Sequence, residues 1–190
     1  GTIRLSPDSI SKVTFKGTNG GKLIRGEGFT GQMIYAEGLD GSFQNLTFQS
    51  ITLDGGAVWT GTPDKTLNRG TVNEGIKATG SVLYLVRANT VLNNSVLQNH
   101  DDYEGEKANA VFLRYYSTID FNNSVVRNNN SNSTYYRGGV ITVRQGGTAT
   151  TNKTEVYGNS GPSGGFFGIS STGSYGGVAE VKDSKFYNNY

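Results

Sequence analysis

Cysteine is absent from this 190-residue chain, so no disulfide framework supports it and thiolate chemistry is excluded. Histidine occurs once, at His100, which removes most imidazole-based catalysis and His-rich metal sites. Charged residues make only 17% of the chain; the net charge is +2, and the 17 basic side chains form no stripe. A phosphate-binding surface needs a basic patch, so no nucleic-acid partner is expected. Apolar runs of about 18 residues are missing, which excludes a membrane-spanning helix from this segment, and no basic-then-apolar leader opens it. Helix signals are absent too: no sustained i, i+3, i+4, i+7 pattern survives the frequent glycines.

What remains is 28 glycines, abundant Asn, Ser and Thr, 34% hydrophobic residues and 11% aromatics. A disordered chain would combine low hydrophobicity with high net charge. This one reads as a single ordered domain over 1–190, built from short strands and many turns.

One phrase recurs. Asn94-Ser95-Val96-Leu97 returns as Asn123-Ser124-Val125-Val126, Lys153-Thr154-Glu155-Val156 and Asp183-Ser184-Lys185-Phe186, with the anchors Leu97, Val126, Val156 and Phe186 spaced by 29, 30 and 30. A fixed period in that range marks stacked repeats. Phe15 and Phe48 extend the series as anchors, with Val13 and Leu46 two residues before them. Strand alternation turns both positions inward. The hydroxyls of Ser95, Ser124, Thr154 and Ser184 then need a partner above or in nearby backbone. Past each anchor Asn gathers, at Asn99, Asn128 and Asn188 and at Asn129, Asn159 and Asn189. Asn tolerates left-handed backbone at corners, and stacked amides bond along the stack.

Two further strands fit each period. One carries Leu83 and Leu85, Val111 and Leu113, Ile141 and Val143, Phe167 and Ile169; the other carries Val91, Ile119 and Phe121, Ala149, then Ala179 and Val181. Three strands per coil of about 30 residues predict an all-β, parallel β-helix of about six coils, right-handed by the crossover rule. The long gap between Phe48 and Leu97 predicts an insertion over 54–80, where turn residues cluster. Residues 1–12 read as a cap or an incomplete first coil. Opening on Gly1-Thr2 and stopping directly after a repeat strand, the chain reads as a segment of a longer surface protein.

The Asn corner, the aligned small and apolar columns and the coil length resemble the right-handed parallel β-helix superfamily of pectate lyases and surface adhesins. Phe186-Tyr187-Asn188-Asn189, with Gly138-Gly139-Val140 and Gly176-Gly177-Val178, is similar to the repeat motifs of bacterial polymorphic outer-membrane and adhesin-like proteins. The resemblance implies a fold and an extracellular, cell-surface setting. It also implies two chemistries: adhesion, or polysaccharide cleavage with acidic calcium ligands and a basic proton acceptor.

Loops that leave one edge of a solenoid build its binding face. Those at 100–109, 130–137 and 160–164, with the insertion nearby, carry Tyr103, Tyr135, Tyr136, Arg137 and Trp59. Aromatic rings stack on sugar faces and polar side chains bond hydroxyls, so these five are the candidate ligand contacts; packing at loop bases is the competing role. Asp101, Asp102 and Glu104 lie in an acidic run that could coordinate Ca2+, although its spacing matches no EF-hand. Arg114 and Arg144, 30 apart and placed beside Asp120, are the counterparts of a lyase base, but no carboxylate pair for hydrolysis is evident. Sequons at Asn45, Asn93, Asn122, Asn129, Asn132 and Asn152 arise mostly from the repeat itself. The expected function is adhesion to a glycan or to a surface protein of a host or neighbouring cell, with no catalytic residues and no obligatory cofactor. Polysaccharide lysis or hydrolysis and a passive stalk are the alternatives.

Overall fold

The computed structural model describes residues 1–6, 12–62, 70–102, 109–132, 139–161, 165–171 and 175–190. The chain winds through three faces in turn. β1 (Ile3–Leu5), β2 (Lys12–Lys16) and β3 (Lys22–Ile24) make the first coil, and β4 (Ile34–Glu37), β5 (Gln44–Gln49) and β6 (Thr52–Asp54) the second. A two-stranded hairpin, β7 (Trp59–Thr60) and β8 (Val72–Asn73), then leaves the rod. Winding resumes with β9 (Leu83–Val86), β10 (Ala88–Asn93) and β11 (Val96–Gln98). β12 (Val111–Arg114), β13 (Thr118–Asn122) and β14 (Val125–Arg127) form the fourth coil; β15 (Ile141–Arg144), β16 (Thr148–Asn152) and β17 (Glu155–Tyr157) form the fifth. The last is β18 (Phe167–Ser170), β19 (Val178–Lys182) and β20 (Lys185–Tyr187).

Corresponding strands pair in parallel into three six-stranded sheets. Sheet I runs β1-β4-β9-β12-β15-β18, sheet II β2-β5-β10-β13-β16-β19, and sheet III β3-β6-β11-β14-β17-β20. The fold is thus a parallel β-solenoid whose six stacked strands per sheet span about 5 turns, with no helix among the described residues.

The core is a set of vertical columns. In sheet I, Ile34, Leu83, Val111 and Ile141 stack in register, as do Ala36, Leu85, Leu113 and Val143, all fully buried. In sheet III the column is Leu23, Leu53, Leu97, Val126, Val156 and Phe186. Phe15 and Phe48 therefore are not its first members. They belong to sheet II, in register with Leu92 and Phe121, and their rings stack at 5.0 Å. The first two coils lack the hydroxyl and Asn signposts, and the strands of sheet II alternate just as well, so the apolar pattern alone selected the wrong face. Val91 likewise points outward beside Asp120; the inward members of its strand are Ala88, Thr90 and Leu92.

Corners explain the polar repeat. Asn94, Asn123, Lys153 and Asp183 all have φ between 46° and 50°, turning the chain from sheet II to sheet III. The hydroxyl that follows each one is tied to backbone rather than to the next hydroxyl. Ser95 Oγ accepts the Ile51 amide (3.3 Å), Ser124 Oγ the Ser95 amide (3.2 Å) and Ser184 Oγ the Thr154 amide (3.1 Å). Ser124 Oγ also donates to the Asn122 carbonyl at 2.8 Å. At the next corner Asn99, Asn128 and Asn188 are left-handed, joined by Gly158. Behind them runs an amide ladder: Asn129 Nδ2 donates to Asn159 Oδ1 (3.0 Å) and Asn159 Nδ2 to Asn189 Oδ1 (2.9 Å). Each amide also donates to the carbonyl of an apolar anchor one coil below, Leu97, Val126 or Val156. These bonds satisfy polar groups that a dry interior would otherwise penalise.

Candidate functional site

The first two coils supply no side chain to those ladders. At the hydroxyl position stand Gly21 and Ile51, and at the amide position Gly26 and Gly56. A β-carbon on neighbouring Gly55 would sit 2.5 Å from His100 Cα, so the chain there lies hard against the third coil. Arg25, which follows β3, takes over the stitching. It is 2% exposed; its Nε donates to the Gly55 carbonyl (3.2 Å), Nη1 to those of Thr30 and Gly31, and Nη2 to that of Gly80 (2.8 Å). Burial pulls its pKa down to about 10, so the guanidinium stays charged at neutral pH. Four carbonyl dipoles offset that desolvation. One side chain thereby fastens the 26–31 turn and both ends of the insertion to the rod.

Between these fastened segments lies a cleft of about 720 Å³. Ile24, Val58 and Ile76 give it apolar walls, and Glu27, Glu74 and Lys77 line it as polar side chains. Glu27, Glu74 and Lys77 are exposed. Asp54 and Asn99 reach it from sheet III and the corner beyond. Asp54 is held in place: Oδ1 accepts the Gly56 amide (3.0 Å), and Oδ2 accepts Gln98 Nε2 (2.8 Å) and Asn99 Nδ2 (3.2 Å).

Trp59 lies half-buried on β7, opposite Asn73 of β8. Asn73 docks the hairpin. Its Oδ1 accepts the Val58 and Gly75 amides (3.0 and 2.8 Å), and its Nδ2 donates to the Ile76 carbonyl (3.1 Å) and to Asp101 Oδ2 (2.9 Å). Trp59 and Asp101 are thus joined through one asparagine. Asp101 Oδ1 accepts Asn130 Nδ2 (2.7 Å), and Ser160 in turn donates to Asn130 Oδ1. Residues 101, 130 and 160 bridge in parallel, so Asp101 is the first rung of a further polar ladder. Asp102 is fully buried, and its Oδ2 accepts Ser131 Oγ at 3.3 Å. Among the described residues no three His, Asp or Glu side chains gather as a metal site would require. Glu104 lies outside the described residues, as do Tyr103, Tyr135, Tyr136 and Arg137.

The outward aromatics of sheet I form a stack of their own. Tyr35, Tyr84 and Phe112 are in register, with ring centroids 5.3 and 5.2 Å apart and planes within 10°. Arg4 covers the lower face of Tyr35 at 4.6 Å. Tyr157 and Tyr187 stack similarly on sheet III, at 5.0 Å. Rings stacked along the axis spend their faces on one another and turn edges outward, so they offer little area for a sugar ring to lie on. Arg114 Nε donates to Gln145 Oε1 (3.0 Å), Nη1 to Tyr84 Oη (3.3 Å) and Nη2 to Tyr115 Oη (3.0 Å). Asp120 is not its neighbour on the face, because it points outward from sheet II while Arg114 and Arg144 belong to sheet I.

Sequence reasoning missed Arg25, Glu27, Asp54 and Glu74. Asp54 and Glu74 fall within the predicted insertion, so a signal existed: carboxylates placed where the period fails. Arg25 and Glu27 gave none, since their role depends on a fold-back that no local pattern encodes. No protein-family model, no curated protein and no solved structure matches this chain.

Proposed function

We propose that this chain is a binding domain of a secreted or cell-surface protein, and that it takes carbohydrate in the cleft between the inserted hairpin and the rod. The observation that carries the reading is the cleft itself, about 720 Å³ and bordered by both apolar and hydrogen-bonding side chains. Ligand pockets fall in that size range and combine apolar walls with a few placed polar groups. Sugars need this mixture: carboxylates and amides to bond hydroxyls, and aliphatic walls for the C–H faces. Glu27, Glu74 and Asn99 would accept or donate to hydroxyls, with Ile24, Val58 and Ile76 under the ring. The loop residues Tyr103, Tyr135, Tyr136 and Arg137 remain contacts for a longer glycan or for a partner protein. Adhesion to the surface of a host or neighbouring cell is the role such a domain would serve.

Polysaccharide cleavage is the second reading, favoured by one observation: Glu27, Asp54 and Glu74 line the same cleft. Asp54 is occupied by three donors, which leaves Glu27 and Glu74 as the carboxylates to test. A glycan array followed by calorimetry on its hits separates the readings. Binding should weaken tenfold or more in Glu27→Ala and in Glu74→Ala and stay unchanged in Asp120→Ala, on the outer face of sheet II. New reducing ends from a bound polysaccharide, lost in Glu74→Gln, would make the domain an enzyme. A blank array, or hits indifferent to both glutamates, would refute the cleft.

A further inference from the structure

The corner between sheets I and II breaks the repeat by its residues rather than by its length. In the fifth coil Arg144-Gln145-Gly146-Gly147 closes with a bond from the Gly147 amide to the Arg144 carbonyl (3.0 Å), and both central residues are left-handed, at φ 51° and 78°. Asn-Gly or a similar pair suits such a turn, because a β-carbon crowds the backbone at positive φ. In the fourth coil the same turn is Arg114-Tyr115-Tyr116-Ser117, closed from the Ser117 amide to the Arg114 carbonyl (3.2 Å), with φ of 48° and 62°. Two successive left-handed tyrosines are strained, and strain of this kind collects where side chains are held for a ligand.

The turn sets both rings on the outside of the rod. Two guanidinium groups, those of Arg87 and Arg114, lie over Tyr115, each 4.8 Å from the ring centroid, and the Tyr115 hydroxyl accepts Arg114 Nη2 (3.0 Å). Tyr116 is 47% exposed; its ring lies over Gly146, where a β-carbon would fall 2.5 Å from Cδ1, and Tyr175 meets it edge-on at 5.5 Å. Arg114 is engaged by Gln145, Tyr84 and Tyr115. Arg87 is less committed. It stands between β9 and β10, and its ion-pair partner among the described residues is Asp40. Asp40 rides on a turn of the second coil, closed from the Ser42 amide to the Leu39 carbonyl (3.1 Å), and its side chain is 90% exposed. So wet an ion pair contributes little and yields to a better-placed oxyanion. Arg87 also lies within electrostatic reach of Tyr116: the Tyr175 hydrogen bond raises the Tyr116 pKa, and the guanidinium offsets part of that rise.

The size of the patch narrows the ligand. One available guanidinium beside one open ring is far smaller than a protein interface, which buries about 1,600 Å² in total. It matches a single pyranose with its apolar face on Tyr116 and an acidic substituent on Arg87. We propose that this corner, which shares no residue with the cleft, is a second binding site for the terminal acidic sugar of a glycan, carboxylated or sulfated. Arg87 takes the oxyanion in place of Asp40, and Tyr116 carries the ring.

Titration of the isotope-labelled intact chain with 3′-sialyllactose, 3′-sulfolactose and lactose, read from amide chemical shifts, tests it. At least one acidic sugar should shift the amides of Asp40, Arg87, Tyr115 and Tyr116 saturably, and which one does so identifies the oxyanion. Lactose at the same concentrations should leave them unmoved. Arg87→Gln should weaken binding at least tenfold, whereas Asp40→Asn, which removes the competing carboxylate, should tighten it at least threefold. Tyr116→Gly should abolish binding without lowering the melting temperature, since glycine relieves the strained turn. Silence from both acidic sugars, equal shifts with lactose, binding indifferent to Arg87→Gln or loosened by Asp40→Asn, or a lower melting temperature in Tyr116→Gly would overturn the proposal. A glutamate hexapeptide that shifts the same amides more strongly than either sugar would overturn it too, in favour of a protein partner.

Discussion

The lower two coils and the upper four solve one problem by different means. From the third coil upward the corners are joined by repeated bonds, hydroxyl to amide at Ser95, Ser124, Thr154 and Ser184 and amide to amide from Asn129 to Asn189. Every rung is nearly the same, and none depends on a single residue. Below, the ladder positions are glycine or isoleucine, and Arg25 is the side chain that reaches the 26–31 turn, Gly55 and Gly80 together. The difference shows what repetition buys and what it prevents. A periodic ladder gives a rigid, self-satisfied rod whose outward groups are engaged with one another. Where the ladder is missing, the chain can leave the rod, fold a hairpin and leave a cleft beside it.

Arg25→Ala should break this comparison most sharply. It removes the donors of four bonds, those to Gly55 and Gly80 buried and those to Thr30 and Gly31 partly so, and an unsatisfied buried group costs about 1–3 kcal/mol. Because the Thr30 carbonyl also accepts the Thr79 and Gly80 amides, a net loss of about 4 kcal/mol is expected. The loss should be local. Hydrogen exchange should quicken around 26–31, 55–57 and 75–80, while β12 to β17 keep their protection. Equal loss of protection in both halves would mean that they are not independent.

Asn159→Ala is the matching test above. Asn159 Oδ1 accepts both the amide and the Nδ2 of Asn129, and its own Nδ2 serves Asn189 and the Val126 carbonyl. Neighbouring rungs persist on both sides, so a smaller loss, about 3 kcal/mol by denaturant unfolding, is expected. A change below about 0.5 kcal/mol would show that the amide ladder is decorative.

The upper half was legible because its signals are redundant. An apolar anchor, an inward hydroxyl and a corner Asn recur together at 29–30 residues, and each physical demand fixes the same register. The lower half offers only alternation, which sheets II and III satisfy equally, and so the apolar pattern alone places Phe15 and Phe48 on sheet III rather than on sheet II. Thr90 shows a finer limit. Threonine reads as outward, yet its hydroxyl is buried in the column between Leu46 and Ile119, without a hydrogen-bond partner among the described residues. The two Gly-Gly-Val motifs are not equivalent in the fold: Gly139-Val140 leads into β15 of sheet I, whereas Gly176-Gly177 leads into β19 of sheet II. The candidate site was legible only as a place. The failed period pointed to 54–80, but the turn at 26–31 that faces it breaks no pattern.

The central claim is that the interruption, not the repeat, carries recognition. It is tested most directly by replacing residues 58–75 with an Asn-Gly turn, which closes the hairpin off while leaving Arg25, Gly55 and Gly80 in place. Calorimetric titration with whichever glycan the intact chain selects is the measurement. Retention of the β-sheet circular dichroism spectrum together with loss of binding by at least a hundredfold is the predicted result. Binding within threefold of the intact chain would contradict it and return the search to the rod's own faces.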